Sequence, residues 1–134
     1  MNPKVFTSPL RSIQLSLVFL WLYQGLIPKI LFQSAAEIAI WQNMGFELNL
    51  AKIMVGLSGL AEMIFGLLFL KWNHSILLHR MNVLGLIVLL LLIIITNPLQ
   101  LTTAFNPVVM NIAMLMLSVL AIQLIQIQKS ASKN

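Results

Sequence analysis

From Val83 to Ile95 the chain runs without a single polar side chain, inside a longer apolar stretch that begins after Ser75 and closes at Thr96. A helix over that stretch is apolar on every side and long enough to cross the hydrocarbon of a bilayer. Three further segments have the same character, so the expected spans are residues 9–27, 50–70, 76–96 and 107–127. The pattern predicts an all-α protein, an integral membrane four-helix bundle forming one domain over residues 1–134. Composition leaves little room for anything else. The chain is 60% hydrophobic and 8% charged, with three acids in all, where a soluble domain carries about a quarter charged residues.

The span boundaries carry their own signals. Ser8-Pro9 pairs a hydroxyl cap with proline at the first helical position. From Pro9 to Ile27 a helix covers about 28 Å, and Pro28 then ends or kinks it. The small triplet Ser34-Ala35-Ala36 lies too far past this stretch for a signal-peptidase site, so the first segment reads as a retained helix. Ser34 to Glu37 has the capping-box spacing and Gly45 supplies a stop. The segment between is too short to span, which predicts a short interfacial helix; an ordinary loop helix would satisfy the same pattern. Lys71-Trp72 closes the second span, Ser75 caps the third and Asn97-Pro98 ends it. Asn106-Pro107 then repeats the cap-plus-proline start.

The net charge is +5, but the eight basic residues sit at the edges of apolar runs and form no stripe. That distribution suits lipid headgroups and argues against nucleic acid. Lys4, Arg11, Lys71, Arg80, Lys129 and Lys133 fall on one side of a four-span topology, and Lys29 and Lys52 on the other. The bias predicts both termini in the cytoplasm of a bacterial inner membrane. The absence of cysteine excludes disulfides, thiol redox chemistry, thiolate-held iron–sulfur clusters and Cys-type zinc sites. His74 and His79, five apart, share no helical face and read as interfacial, so no metal site is expected. Met110, Met114 and Met116 read as packing residues. No nucleotide fingerprint, nucleophile elbow or paired-carboxylate motif is present, so the chain shows no self-sufficient catalytic apparatus and no cofactor of its own is expected.

Glu62 is the residue most out of place. An acid inside a span is costly unless it is paired, protonated or hydrated. It shares a helical face with Lys52, Gly56, Gly59 and Gly66, small residues that admit a neighbouring backbone. It serves either as hydrogen-bonded glue or as a proton-handling or ligand-binding group. Counting from the span ends places Ser16 or Leu17 and Ser118 or Val119 at its depth. Tyr23, Gln24 and Asn111 fall nearer the opposite face, with Lys29 and Lys52 above them. The expectation is an outward-opening pocket with Glu62 at its floor. Lys29 is either a snorkelling anchor or an anion-binding group.

Several of these residues recur together. Trp21-Leu22-Tyr23-Gln24-Gly25-Leu26-Ile27-Pro28-Lys29 is followed by Glu37, then by Gly59-Leu60-Ala61-Glu62, then by Ala104-Phe105-Asn106-Pro107-Val108. In order and spacing the set resembles the DoxX-like family of small four-helix membrane proteins, over nearly the whole chain. The resemblance implies a membrane subunit near quinone or redox chemistry, sometimes beside an NAD(P)-binding protein. It marks Gly25, Pro28, Lys29, Glu37, Gly59, Glu62, Asn106 and Pro107 as family-pattern positions. The expected role is an accessory or anchoring subunit of a quinone-linked redox system, with a redox partner protein. A small proton- or cation-coupled transporter, acting as a homo-oligomer, and a structural scaffold are the alternatives.

Overall fold

The computed structural model describes residues 7–102 and 106–132, and among these every regular element is helical. Helix α1 (Thr7–Gly25) passes without a break into a π-helical segment (Leu26–Leu31). Then follow α2 (Ala35–Asn43), α3 (Leu48–Lys71), α4 (Ile76–Thr96), a 3₁₀ turn (Pro98–Thr102) and α5 (Pro107–Ala131). Four of these helical stretches, Thr7–Leu31, Leu48–Lys71, Ile76–Thr96 and Pro107–Ala131, are long and apolar enough to cross a membrane. Lys4, Ala104, Phe105 and Lys133 lie outside the described residues.

The caps expected at Ser34, Ser75 and Asn106 form, whereas α1 already includes Thr7 and Ser8, so Ser8 is a helical residue and not the cap expected before Pro9. Ser34 accepts from the Glu37 amide, Ser75 from Leu78 and Asn106 from Val109. Gly45, at φ +92°, ends α2 in the left-handed region. The first span differs from expectation, because it continues past Pro28 to Leu31. Proline lacks an amide hydrogen, and its ring collides with the carbonyl four residues back; the wider π turn accommodates both. Gln33, at φ 43°, then terminates the segment, and the Ser34 amide reaches back to the Pro28 carbonyl at 2.8 Å.

The bundle differs from a soluble protein in its surface and in the polar groups set among its apolar core. Gln14, Lys29, His79, Asn82, Asn111 and Ser118 are buried, whereas Leu77, Leu84, Leu91 and Ile95 of α4 stand exposed along its outer face. Apolar surface outside and polar side chains inside is what lipid as a solvent selects. Helix α1 packs most extensively on α3, α4 packs on α5, and α1 crosses to α5. Leu17, Val18, Trp21, Phe69, Leu78, Leu86 and Met114 fill the centre.

The α1–α3 contact is backbone on backbone. A Cβ on Gly59 would lie 2.6 Å from the Gly25 carbonyl oxygen and 2.8 Å from the Lys29 Cβ, and one on Gly66 would lie 2.6 Å from the Trp21 Cβ. Gly56 meets nothing within 4 Å, and Lys52 is exposed. The buried arc of α3 is Ala51, Val55, Gly59, Gly66 and Phe69; at 100° per residue Lys52 and Gly56 fall beyond its edge.

This contact also corrects the depth of Glu62. It lies level with Lys29 and the α1–π junction, not with Ser16 or Leu17. Counting from the span ends failed because α1 begins beyond the α3–α4 turn, where the Gln14 side chain donates to the Asn73 carbonyl. His79, expected at the interface, is fully buried, its ring centroid 5.1 Å from that of Phe69. Of the three methionines, Met114 is core, Met110 packs against it, and Met116 is exposed to the surroundings.

Candidate functional site

The π turn presents Lys29 inward, and its side chain is only 11% exposed. Its ammonium sits 2.5 Å from Glu62 Oε1 and 3.5 Å from Glu37 Oε2. Each partner comes from a different element: Glu62 from the middle of α3, and Glu37 from the first turn of α2, where the Ser34 cap fixes its position. Among the described residues both ion pairs converge on Lys29. Two carboxylates against one ammonium leave one negative charge uncompensated when all three are ionised. Glu62 Oε2 is buried and has no hydrogen-bond partner.

Beside this triad Gln24 Nε2 donates to Asn111 Oδ1 at 3.1 Å, tying α1 to α5. The five groups border a cavity of about 140 Å³, whose remaining wall includes Ser58 of α3, Leu89, Leu92 and Ile93 of α4, and Pro107. Helix α2 covers it with Ile40 and Trp41, together with its C-cap residue Met44. That cover is anchored at its far end, where Asn43 donates to the Thr96 carbonyl at 3.0 Å, and the Trp41 ring is held edge-on to Phe46. A larger groove of about 600 Å³ adjoins the cavity between α1 and α5. It shares Gln24, Glu37 and Pro107 with the cavity and adds Tyr23, Pro28, Gln100, Asn106 and Met110.

Lys29, Glu37, Glu62, Gln24 and Asn111 thus meet at one place. Tyr23 does not join them. It is 48% exposed, tilted against Phe19, and looks into the adjoining groove. Two residues after Trp21, it points away from the face that α1 buries. The family-pattern residues divide by task. Gly25 and Gly59 let the helices touch, Pro28 opens the turn that carries Lys29, and Asn106-Pro107 starts α5 beside the cavity.

A second buried network is absent from the sequence reading. Trp21 Nε1 donates to Asn82 Oδ1 at 2.9 Å, Asn82 Nδ2 donates to Ser118 Oγ at 2.7 Å, and His79 Nδ1 lies 3.2 Å from the same hydroxyl. The signal was present in the spacing. His79, Asn82 and Leu86 repeat at helical intervals on α4, as Asn111, Met114 and Ser118 do on α5. In hydrocarbon each such group needs a protein partner, so the network fixes the rotation of α1, α4 and α5 about one another.

The sequence profile of the DoxX-like family matches residues 18–119, a stretch that contains the whole triad and both glycines of the helix contact. The chain belongs to the DoxX-like family. It is accordingly a small multi-pass membrane protein, as its four apolar helices also indicate. No curated protein and no solved structure matches this DoxX-like chain.

Proposed function

We propose that this DoxX-like protein is an accessory subunit of a quinone-linked redox system in a bacterial inner membrane, with both termini cytoplasmic. The observation that carries the reading is the convergence of one ammonium, two carboxylates and two carboxamides on a cavity that continues into a wider groove. A quinone headgroup presents two carbonyl acceptors, which Lys29 and the amide of Gln24 or Asn111 can serve as donors. Reduction to the quinol takes up two electrons and two protons; Glu62 and Glu37 are placed to pass the protons. The electrons would come from a partner protein bearing a nicotinamide, flavin or metal centre. The α1–α5 groove is large enough to hold the first part of an isoprenoid tail. Arg11, Lys71, Arg80 and Lys129 at one end of the bundle, against Lys29 and Lys52 at the other, support the cytoplasmic termini.

The test is titration of the purified protein with a short-chain ubiquinone analogue, read through quenching of tryptophan, since Trp41 borders the cavity. Saturable quenching is expected, weakened about tenfold by Lys29→Gln, the factor for losing one charge-assisted hydrogen bond. Unsaturable quenching, identical in both proteins, would refute the reading.

One observation favours a second reading. The buried, unpartnered Oε2 of Glu62 and the excess negative charge of the triad make a place for one proton or monovalent cation. A coupled transporter of this kind would move ions in proteoliposomes with no partner present, and Glu62→Gln would abolish the flux.

A further inference from the structure

The three acids of the chain are Glu37, Glu47 and Glu62. Glu37 and Glu62 pair with Lys29, and Glu47 is the N-cap residue of α3, so all three belong to one half of the bundle. The other end carries Arg11 on α1, Lys71 at the α3–α4 turn, Arg80 on α4 and Lys129 on α5. No acidic side chain is within reach of any of them. Charges at a membrane surface without an internal counterion draw one from outside.

A cavity of about 340 Å³ opens at this end between the start of α1 and the end of α3. Its polar side is formed by Thr7, Arg11, Gln14, Asn73 and His74. Gln14 is 5% exposed, and by donating to the Asn73 carbonyl it holds the turn that carries His74 against α1. The basic rim therefore sits on a fixed wall. The opposite side of the cavity is apolar: Leu10 and Phe69 form its depth, and Leu15 and Leu70, both about half exposed, continue it onto the lipid-facing surface.

We propose that this cavity binds the phosphate headgroup of an anionic phospholipid, with Arg11 and His74 facing the phosphate and the acyl chains leaving over Leu15 and Leu70. A free phosphate ion would satisfy the basic rim but would leave the apolar half of the cavity wet. A zwitterionic headgroup brings its own ammonium to a rim that has no acid to receive it. The site is independent of the Lys29–Glu62 cavity, because the two share no lining residue.

The experiment is native mass spectrometry of the full chain released from bilayers of phosphatidylglycerol and phosphatidylcholine in equal amounts. The wild type is expected to retain phosphatidylglycerol preferentially. Arg11→Gln should reduce that preference about fivefold, the factor one basic residue contributes against an anionic headgroup. Lys129→Gln removes the same charge from the same end but lies outside the cavity, and should leave the preference unchanged. Equal retention of the two lipids, or equal losses in the two variants, would overturn the cavity assignment. Displacement of bound phosphatidylglycerol by millimolar inorganic phosphate would reassign the cavity to a free oxyanion and overturn the lipid assignment.

Discussion

Replacing Gly59 by alanine tests the helix contact on which the candidate site is built. The new Cβ would meet the Gly25 carbonyl oxygen at 2.6 Å and the Lys29 Cβ at 2.8 Å. A comfortable contact needs about 3.5 Å, so α1 and α3 must part by roughly 0.9 Å, and no rotamer change relieves a clash with backbone. Overpacking of this kind costs about 1–3 kcal/mol. The same movement draws Lys29 away from Glu62, stretching a 2.5 Å contact to about 3.4 Å and weakening it. A loss of about 2–3 kcal/mol is expected, roughly 30- to 150-fold in the unfolding equilibrium. Gly85→Ala is the internal control. Nothing lies within 4 Å of its Cβ, so it should gain about 0.5–1 kcal/mol from helix preference alone. Reversible unfolding in mixed micelles, followed by far-ultraviolet circular dichroism, measures both. If Gly59→Ala and Gly85→Ala shift stability in the same direction, the backbone contact of α1 with α3 is wrong.

Three further outcomes follow from particular contacts. Lys29→Met leaves Glu62 and Glu37 facing each other without a cation and should cost about 3–5 kcal/mol; adding Glu62→Met should recover most of it, and additive losses in the double-mutant cycle would count against the pair. Ser118→Ala removes the hydroxyl shared by Asn82 and His79 and should cost about 1–2 kcal/mol, with a shift in Trp21 emission as Asn82 reorients; an unchanged spectrum and melting curve would contradict the network. Gln33→Gly relieves a left-handed residue at φ 43° and should stabilise by about 1 kcal/mol in the same unfolding assay, whereas a loss of stability would mean that the Gln33 side chain makes a compensating contact.

Much of this architecture was legible in the chain because lipid imposes a severe rule on sequence. Every backbone polar group must be satisfied within its own helix, so spans declare themselves as long apolar runs, and their ends as Ser75, Asn97-Pro98 and Asn106-Pro107. Glu62 was conspicuous for the same reason, as were Gln24, Lys29 and Asn111 at the edges of apolar runs. Tyr23 carried the same polar signal, yet it faces outward.

What the sequence could not decide is how far one helix slides along its neighbour. In a bundle whose outer face is lipid, a few spaced polar residues such as His79, Asn82 and Ser118 mark the inner face but not the depth, and span ends are soft markers of depth. The register is set instead by the fit of Gly59 against Gly25, by Gln14 reaching the α3–α4 turn, and by the π segment that carries the first span 6 residues beyond α1. That slide moves Glu62 from the level of Ser16 to that of Lys29, and turns an isolated acid into half of an ion pair. The packing of α4 on α5 likewise brings Asn82 and His79 to Ser118, burying a histidine that looked interfacial. The chain alone determined that there are four spans and which polar groups must find partners within them. Which partner each one found depended on sub-ångström packing between separate helices, and only the tertiary structure decides that.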